Sequence, residues 1–159
     1  MKTLKNTLAI LLFLFIGTSI YAQEEKVYYD NGNLRIVGNY VDKVATGTWK
    51  FYFENGKLKQ TGSLTNGKMS GEWKVYTEDG KLLKTENYDN GVLTGKWSYY
   101  YKNGATQNSG NYTNGEKSGE WKFYTENGAL QSSGNMAGEN RIGEWKIYEN
   151  GKVVETVKF

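Results

Sequence analysis

Side chains able to serve as acid, base, nucleophile or metal ligand are few in this chain. It contains no histidine and no cysteine, which removes Ser-His-Asp and Cys-His arrangements and the softer metal ligands. A pair of carboxylates could still do glycosidase-type acid/base work, and Glu72, Glu120 and Glu144, each directly before a tryptophan, are the residues that would carry it. The equivalent position holds Thr48 and Lys96 elsewhere in the chain. A position that accepts Glu, Thr and Lys reads as a solvated face. The many glycines never open a helix, so they are not phosphate cradles. Asp-x-Asp-x-Asp-Gly calcium loops are absent. No catalytic residue, metal or cofactor is therefore expected.

What is abundant is aromatic and periodic. Trp49, Trp73, Trp97, Trp121 and Trp145 stand 24 residues apart. Glycine precedes each by two places (Gly47, Gly71, Gly95, Gly119, Gly143), and tyrosine follows each by three (Tyr52, Tyr76, Tyr100, Tyr124, Tyr148). A fixed period of this length marks a repeat architecture in which each unit contacts mainly its neighbours.

The first residues carry a different signal. Lys2 and Lys5 precede the apolar run Leu8–Ile16, and Gly17-Thr18-Ser19 leads to Ala22. This is the pattern of a secretory signal peptide over residues 1–22, with the apolar run short for a membrane span. The expectation is an exported protein, periplasmic or extracellular, with a mature repeat domain over 23–159. Without Lys2 and Lys5 the 20 basic residues fall to 18 against 17 acidic ones. Arginine is confined to Arg35 and Arg141. Neither feature suits a nucleic-acid partner.

Within each repeat the hydrophobic period is two, which predicts strands. Thr48-Trp49-Lys50-Phe51-Tyr52-Phe53 runs into Glu54-Asn55-Gly56-Lys57 and then a second strand over 58–65. Asn-Gly between two such runs signals a hairpin, in its tightest form a two-residue type I′ turn. The dipeptide, or Asp-Gly, recurs at 31–32, 79–80, 103–104, 127–128 and 150–151, and a second turn follows at 66–67, 90–91 and 114–115. The expected fold is all-β, an elongated single-layer antiparallel meander of twelve strands beginning near Lys26, roughly 50 Å long. Its units are a partial repeat 26–46, then 47–70, 71–94, 95–118, 119–142 and 143–159. A two-residue loop would pair Phe53 with Leu58, Phe51 with Gln60, Trp49 with Gly62 and Gly47 with Leu64. Large rings then lie over glycines of the neighbouring strand. Trp73, which faces Glu86 in that register, is expected to be held less tightly than Trp97 or Trp121.

The phrase Gly-x-Trp-x-x-Tyr, then Asn-Gly, then Gly-x-Tyr-x-Asn-Gly resembles the variant form of the MORN (membrane occupation and recognition nexus) repeat, across nearly all of residues 28–159. Bacterial chains built this way resemble the YwqK-type family, labelled as antitoxin components of toxin–antitoxin modules. Three departures stand out: Glu86 replaces a glycine, residues 135–141 look shifted by one, and Asn150-Gly151 comes one residue early.

Together these features predict a non-catalytic protein-binding scaffold. Its structural columns are the five tryptophans and their glycines. Its contact residues are Phe51, Tyr99 and Phe123, two places after a tryptophan, with Tyr88 and Tyr112 on return strands. The resemblance implies a second function, an antitoxin or immunity-like protein whose partner is a toxin. A third is binding of a glycan, an envelope component or a membrane surface by rings spaced about 10 Å apart.

Overall fold

The computed structural model describes residues 22–159, which form one antiparallel meander. The signal-peptide expectation lies, apart from Ala22, outside the described residues. The first hairpins are β1 (Ala22–Tyr28) with β2 (Leu34–Val41), β3 (Val44–Tyr52) with β4 (Leu58–Thr65), and β5 (Lys68–Tyr76) with β6 (Leu82–Asp89). Then come β7 (Val92–Leu93), β8 (Gly95–Tyr100) and β9 (Thr106–Thr113). The array closes with β10 (Glu116–Tyr124), β11 (Leu130–Ala137), β12 (Asn140–Glu149) and β13 (Lys152–Lys158). Thirteen strands replace the expected twelve because Thr94 separates the short β7 from β8, and β1 starts four residues before Lys26.

The two ends of the sheet use the same dipeptide differently. At one end Phe53 N–H donates to Lys57 O and Gly56 N–H to Phe53 O, with only Gly56 at positive φ, 83°. That is a three-residue loop, a type I turn closed by a left-handed glycine. It corrects the expected pairing: Leu58 faces Tyr52, not Phe53, while Phe51–Gln60, Trp49–Gly62 and Gly47–Leu64 stand as expected. At the other end both residues of Asn66-Gly67 have positive φ, 51° and 74°, the two-residue type I′ turn. Gly138-Glu139 takes that place in its repeat with only the glycine at positive φ. The 24-residue register is kept there, since Asn135 pairs with Ile142 as Asn111 pairs with Ser118. The sequence at 135–141 therefore changes turn chemistry without shifting the strand. Asn150-Gly151 is the true exception, a two-residue turn where the other repeats have three.

Both ends also stitch repeat to repeat. Asn31, Asn55 and Asn103 donate their side-chain amides to the carbonyls of Glu54, Glu78 and Glu126, each 23 residues on. At the opposite end Gly67, Gly91 and Gly115 donate backbone N–H groups to Ala45, Met69 and Leu93. These contacts hold the hairpins in line without a second layer.

The core is a row of indoles. Trp73 and Trp121 are 2% exposed and Trp145 is fully buried. Which glycine each ring covers differs from expectation. Between repeats the ladder skips, with Thr61 opposite Lys74 but Ser63 opposite Ser70, so Gly62 alone faces Gly71, Glu72 and Trp73. Gly71 has φ of 67° there, a left-handed conformation that costs glycine little. The kink folds Trp73 back across Gly62 of the preceding hairpin. A Cβ on Gly62 would come closer than 3.0 Å to several Trp73 ring atoms, and the same holds for Gly38 under Trp49, Gly110 under Trp121 and Gly134 under Trp145. Trp73 is thus among the best-buried residues, contrary to the expectation for it. Trp97 is the exception, because the residue in the position of its glycine is Glu86, and it remains half-exposed.

Candidate functional site

The two faces of the sheet differ in kind. One carries Thr48, Glu72, Lys96, Glu120 and Glu144 beside the tryptophans. Lys74 pairs with Glu72 and Lys122 with Glu120, both at 3.1 Å on exposed side chains. Those hydrogen bonds hold the Lys74 and Lys122 ammonium groups above the usual lysine range. Glu120 and Glu144 line one open cleft with Ser133, Asn135, Lys146 and Tyr148. Its mixed charges suit solvent and side-chain ion pairs, and the carboxylates sit with lysines, as on a solvated face.

The other face is aromatic. Phe51 lies between Trp49 and Trp73 at 6.4 and 6.2 Å, and Phe123 between Trp121 and Trp145 at 6.5 and 5.9 Å. Both are half-buried, so they close the ring column as well as facing outward. Tyr99 is different: it stacks on Trp97 alone, at 6.1 Å with planes 17° apart. Tyr112 meets Trp97 at 6.1 Å and Trp121 edge-on at 5.5 Å. Burial pushes its hydroxyl above the ordinary tyrosine range, against the opposing effect of Lys117.

The column breaks once, between Trp73 and Trp97. Val75 stands where the next repeats have Tyr99 and Phe123, and Glu86 stands where a glycine would let Trp97 lie flat. Trp97 leans instead toward Trp121, at 5.5 Å. Glu86 is 7% exposed, a carboxylate on an aromatic face. Lys84 Nζ reaches its Oε1 at 2.7 Å and the Tyr88 hydroxyl donates to its Oε2 at 3.3 Å. Burial first, and the Glu86 charge second, push Tyr88 up to about 12. A buried charge persists only when paired and hydrogen-bonded, and both partners come from the same strand.

Two polar atoms nearby have no partner. In Trp73 and Trp145 the indole N–H donates to the carbonyls of Ser63 and Asn135, whereas the buried Trp121 Nε1 finds no acceptor. Asn108 Oδ1, on the strand beside Tyr99, is buried without a donor. The expected contact residues Tyr88, Tyr99 and Tyr112 thus gather around this break, while Phe51 and Phe123 stand in the regular column on either side. Lys84, Glu86 and Asn108 were not among the expected contact residues. Glu86 was visible as a lost glycine, but nothing in the sequence showed that it would be buried.

The geometry above repeats every 24 residues, and so does a known sequence pattern. The family described as MORN repeat variant matches residues 24–42, 45–68, 69–90, 93–114 and 117–137. The chain belongs to the MORN repeat variant family. A comparison with curated proteins finds no match. Among solved structures, the crystal structure of a GtfA/B complex bound to UDP and GlcNAc aligns with 96% of this chain at 10% identity. The chain spans 27% of that protein's length, with a TM-score of 0.25, an overlap too loose to inform fold or function. MORN repeats commonly serve as protein- or membrane-interaction modules, and membership adds no reaction.

Proposed function

We propose that this MORN repeat protein is a non-catalytic scaffold that binds another protein through its aromatic face, after export. The observation carrying this is the partly open edge of the ring column on a single-layer sheet, where Phe51, Trp97, Tyr99, Tyr112 and Phe123 are only half-buried while the other four tryptophans are buried beneath. No second layer covers it among the described residues, and apolar surface left open in this way usually meets a partner. The absence of histidine and cysteine and the dispersed carboxylates support a role without catalysis. Export rests on the pattern of residues 1–22. The family resemblance makes a toxin one form the partner could take, with a toxin gene beside this one as its signature.

The test is capture of a partner from envelope extracts, with the captured protein identified by mass spectrometry. Tyr99→Ala should reduce capture at least severalfold, and Ser98→Ala, its neighbour on the polar face, should leave it unchanged. The opposite ranking would move the contact to the polar face.

A further inference from the structure

We infer that the break in the aromatic column is a receptor for an arginine side chain of the partner, its guanidinium resting on Trp97 and Tyr99 and hydrogen-bonding Glu86. This inference rests on the aromatic-face reading above and specifies its chemistry. Three observations converge on it.

The first is how the chain treats its other C-terminal tryptophans. The Lys117 ammonium lies over Trp121 at 5.4 Å, and the Arg141 guanidinium over Trp145 at 4.3 Å. Each cation comes from the residue four places before its tryptophan. For Trp49, Trp73 and Trp97 that residue is Ala45, Met69 and Leu93, and no cation of the described chain lies over these rings or Tyr99. Trp49 and Trp73 are buried, so Trp97 alone of the three is open to one from outside. Trp97 and Tyr99 stack nearly parallel and are only partly buried, a platform of the kind that guanidinium groups stack on. Arg141 on Trp145 is the same contact made within the molecule.

The second is the surplus of acceptors. A carboxylate offers about four lone-pair sites, and Glu86 uses one for Lys84 and one for Tyr88. Asn108 Oδ1 uses none. Lys84 pairs with Tyr99 across β6 and β8, and Tyr99 with Asn108 across β8 and β9. Tyr99 therefore stands between the carboxylate strand and the unpaired amide oxygen. Arginine brings five N–H donors in a planar fork and no acceptor, which matches the unused lone pairs of Glu86. Asn108 Oδ1 is buried on the strand beside Tyr99 and is not itself a contact for the guanidinium.

The third is Lys84 itself. Its side chain is 31% exposed and its ammonium occupies Glu86 in the free protein. Lys84 thus acts as a resident cation that an incoming guanidinium displaces into solvent.

Titration of the protein with N-acetyl-arginine amide, following the Trp97 indole N–H resonance, tests this. The neutral isostere N-acetyl-citrulline amide is the control. The resonance should shift with the arginine probe and stay in place with the citrulline probe. Glu86→Gln should weaken binding about tenfold, as loss of a charge-assisted contact implies. Lys84→Ala should tighten it severalfold, because a competitor has gone. If Glu86→Gln folds poorly, Glu86→Ala, whose Cβ still keeps Trp97 from lying flat over residue 86 as the indoles lie over the glycines of the other repeats, replaces it with the same expected loss. No shift with arginine, equal shifts with both probes, or weaker binding in Lys84→Ala would overturn the inference. A shift that follows protein concentration instead of probe would make a second copy the occupant and overturn it as well. If partner capture still depends on Tyr99 in that event, the scaffold function stands without the arginine receptor.

Discussion

Gly62→Ala isolates the contact that holds one repeat to the next. Residue 62 lies in a regular strand, outside the positive-φ region, so alanine brings no backbone strain. By narrowing the unfolded ensemble it should even stabilise by about 0.5 kcal/mol. Against this, the new Cβ would sit within 3.0 Å of Trp73 ring atoms. The indole is rigid and 2% exposed, and it must retreat by more than an ångström. Overpacking a filled site costs about 1–3 kcal/mol, and full loss of a buried tryptophan costs about 3–5 kcal/mol. The net expectation is a loss of about 2 kcal/mol, lowering Tm by roughly 6–10 °C for a domain of this size. Thermal and urea unfolding, followed by tryptophan fluorescence, measures it. Gly67→Ala is the companion: φ is 74° with nothing within 4 Å of a Cβ, so its cost of about 1 kcal/mol is backbone strain alone. In a Trp73→Ala background the Gly62→Ala penalty should vanish while the Gly67→Ala penalty remains. Equal Gly62→Ala losses with and without the indole would refute the account of how the rings cover the glycines.

Trp73→Ala and Trp121→Ala should each cost about 3 kcal/mol or more, and Trp97→Ala clearly less, as ranked by urea midpoints. Tyr88 titrates higher folded than unfolded, so its protonated form is what folding favours. Its contribution should be intact below pH 10 and fade as pH rises toward about 12. Tyr88→Phe should flatten that part of the stability profile. Asn103→Ala removes the amide bond to the Glu126 carbonyl in the next repeat and should cost about 1 kcal/mol, read as a lower Tm.

The aromatic column and its break divide the protein into what local chemistry determines and what the assembled sheet decides. The 24-residue period, the alternation within strands and the turn dipeptides are all local properties, so they determine an all-β repeat array by themselves. Within a hairpin the register follows as well, since Trp49 opposite Gly62 depends only on a few intervening residues. Loop length is not determined by the dipeptide alone. Asn-Gly suits both a two-residue turn and the last two places of a three-residue one, and only pairing in the formed hairpin chose between them. The contact between repeats was beyond local reach. It depends on Gly71 adopting positive φ and on three residues being accommodated opposite Gly62, a choice made by neighbouring hairpins acting together. The register across the hairpin puts Glu86 opposite Trp73, and the skipped ladder to the next repeat puts the same residue opposite the segment that carries Trp97. Whether a carboxylate among aromatic rings is buried, paired or exposed depends on which indole covers it and which lysine reaches it. Those are properties of the stacked repeats, and they place the candidate site at the break in the column.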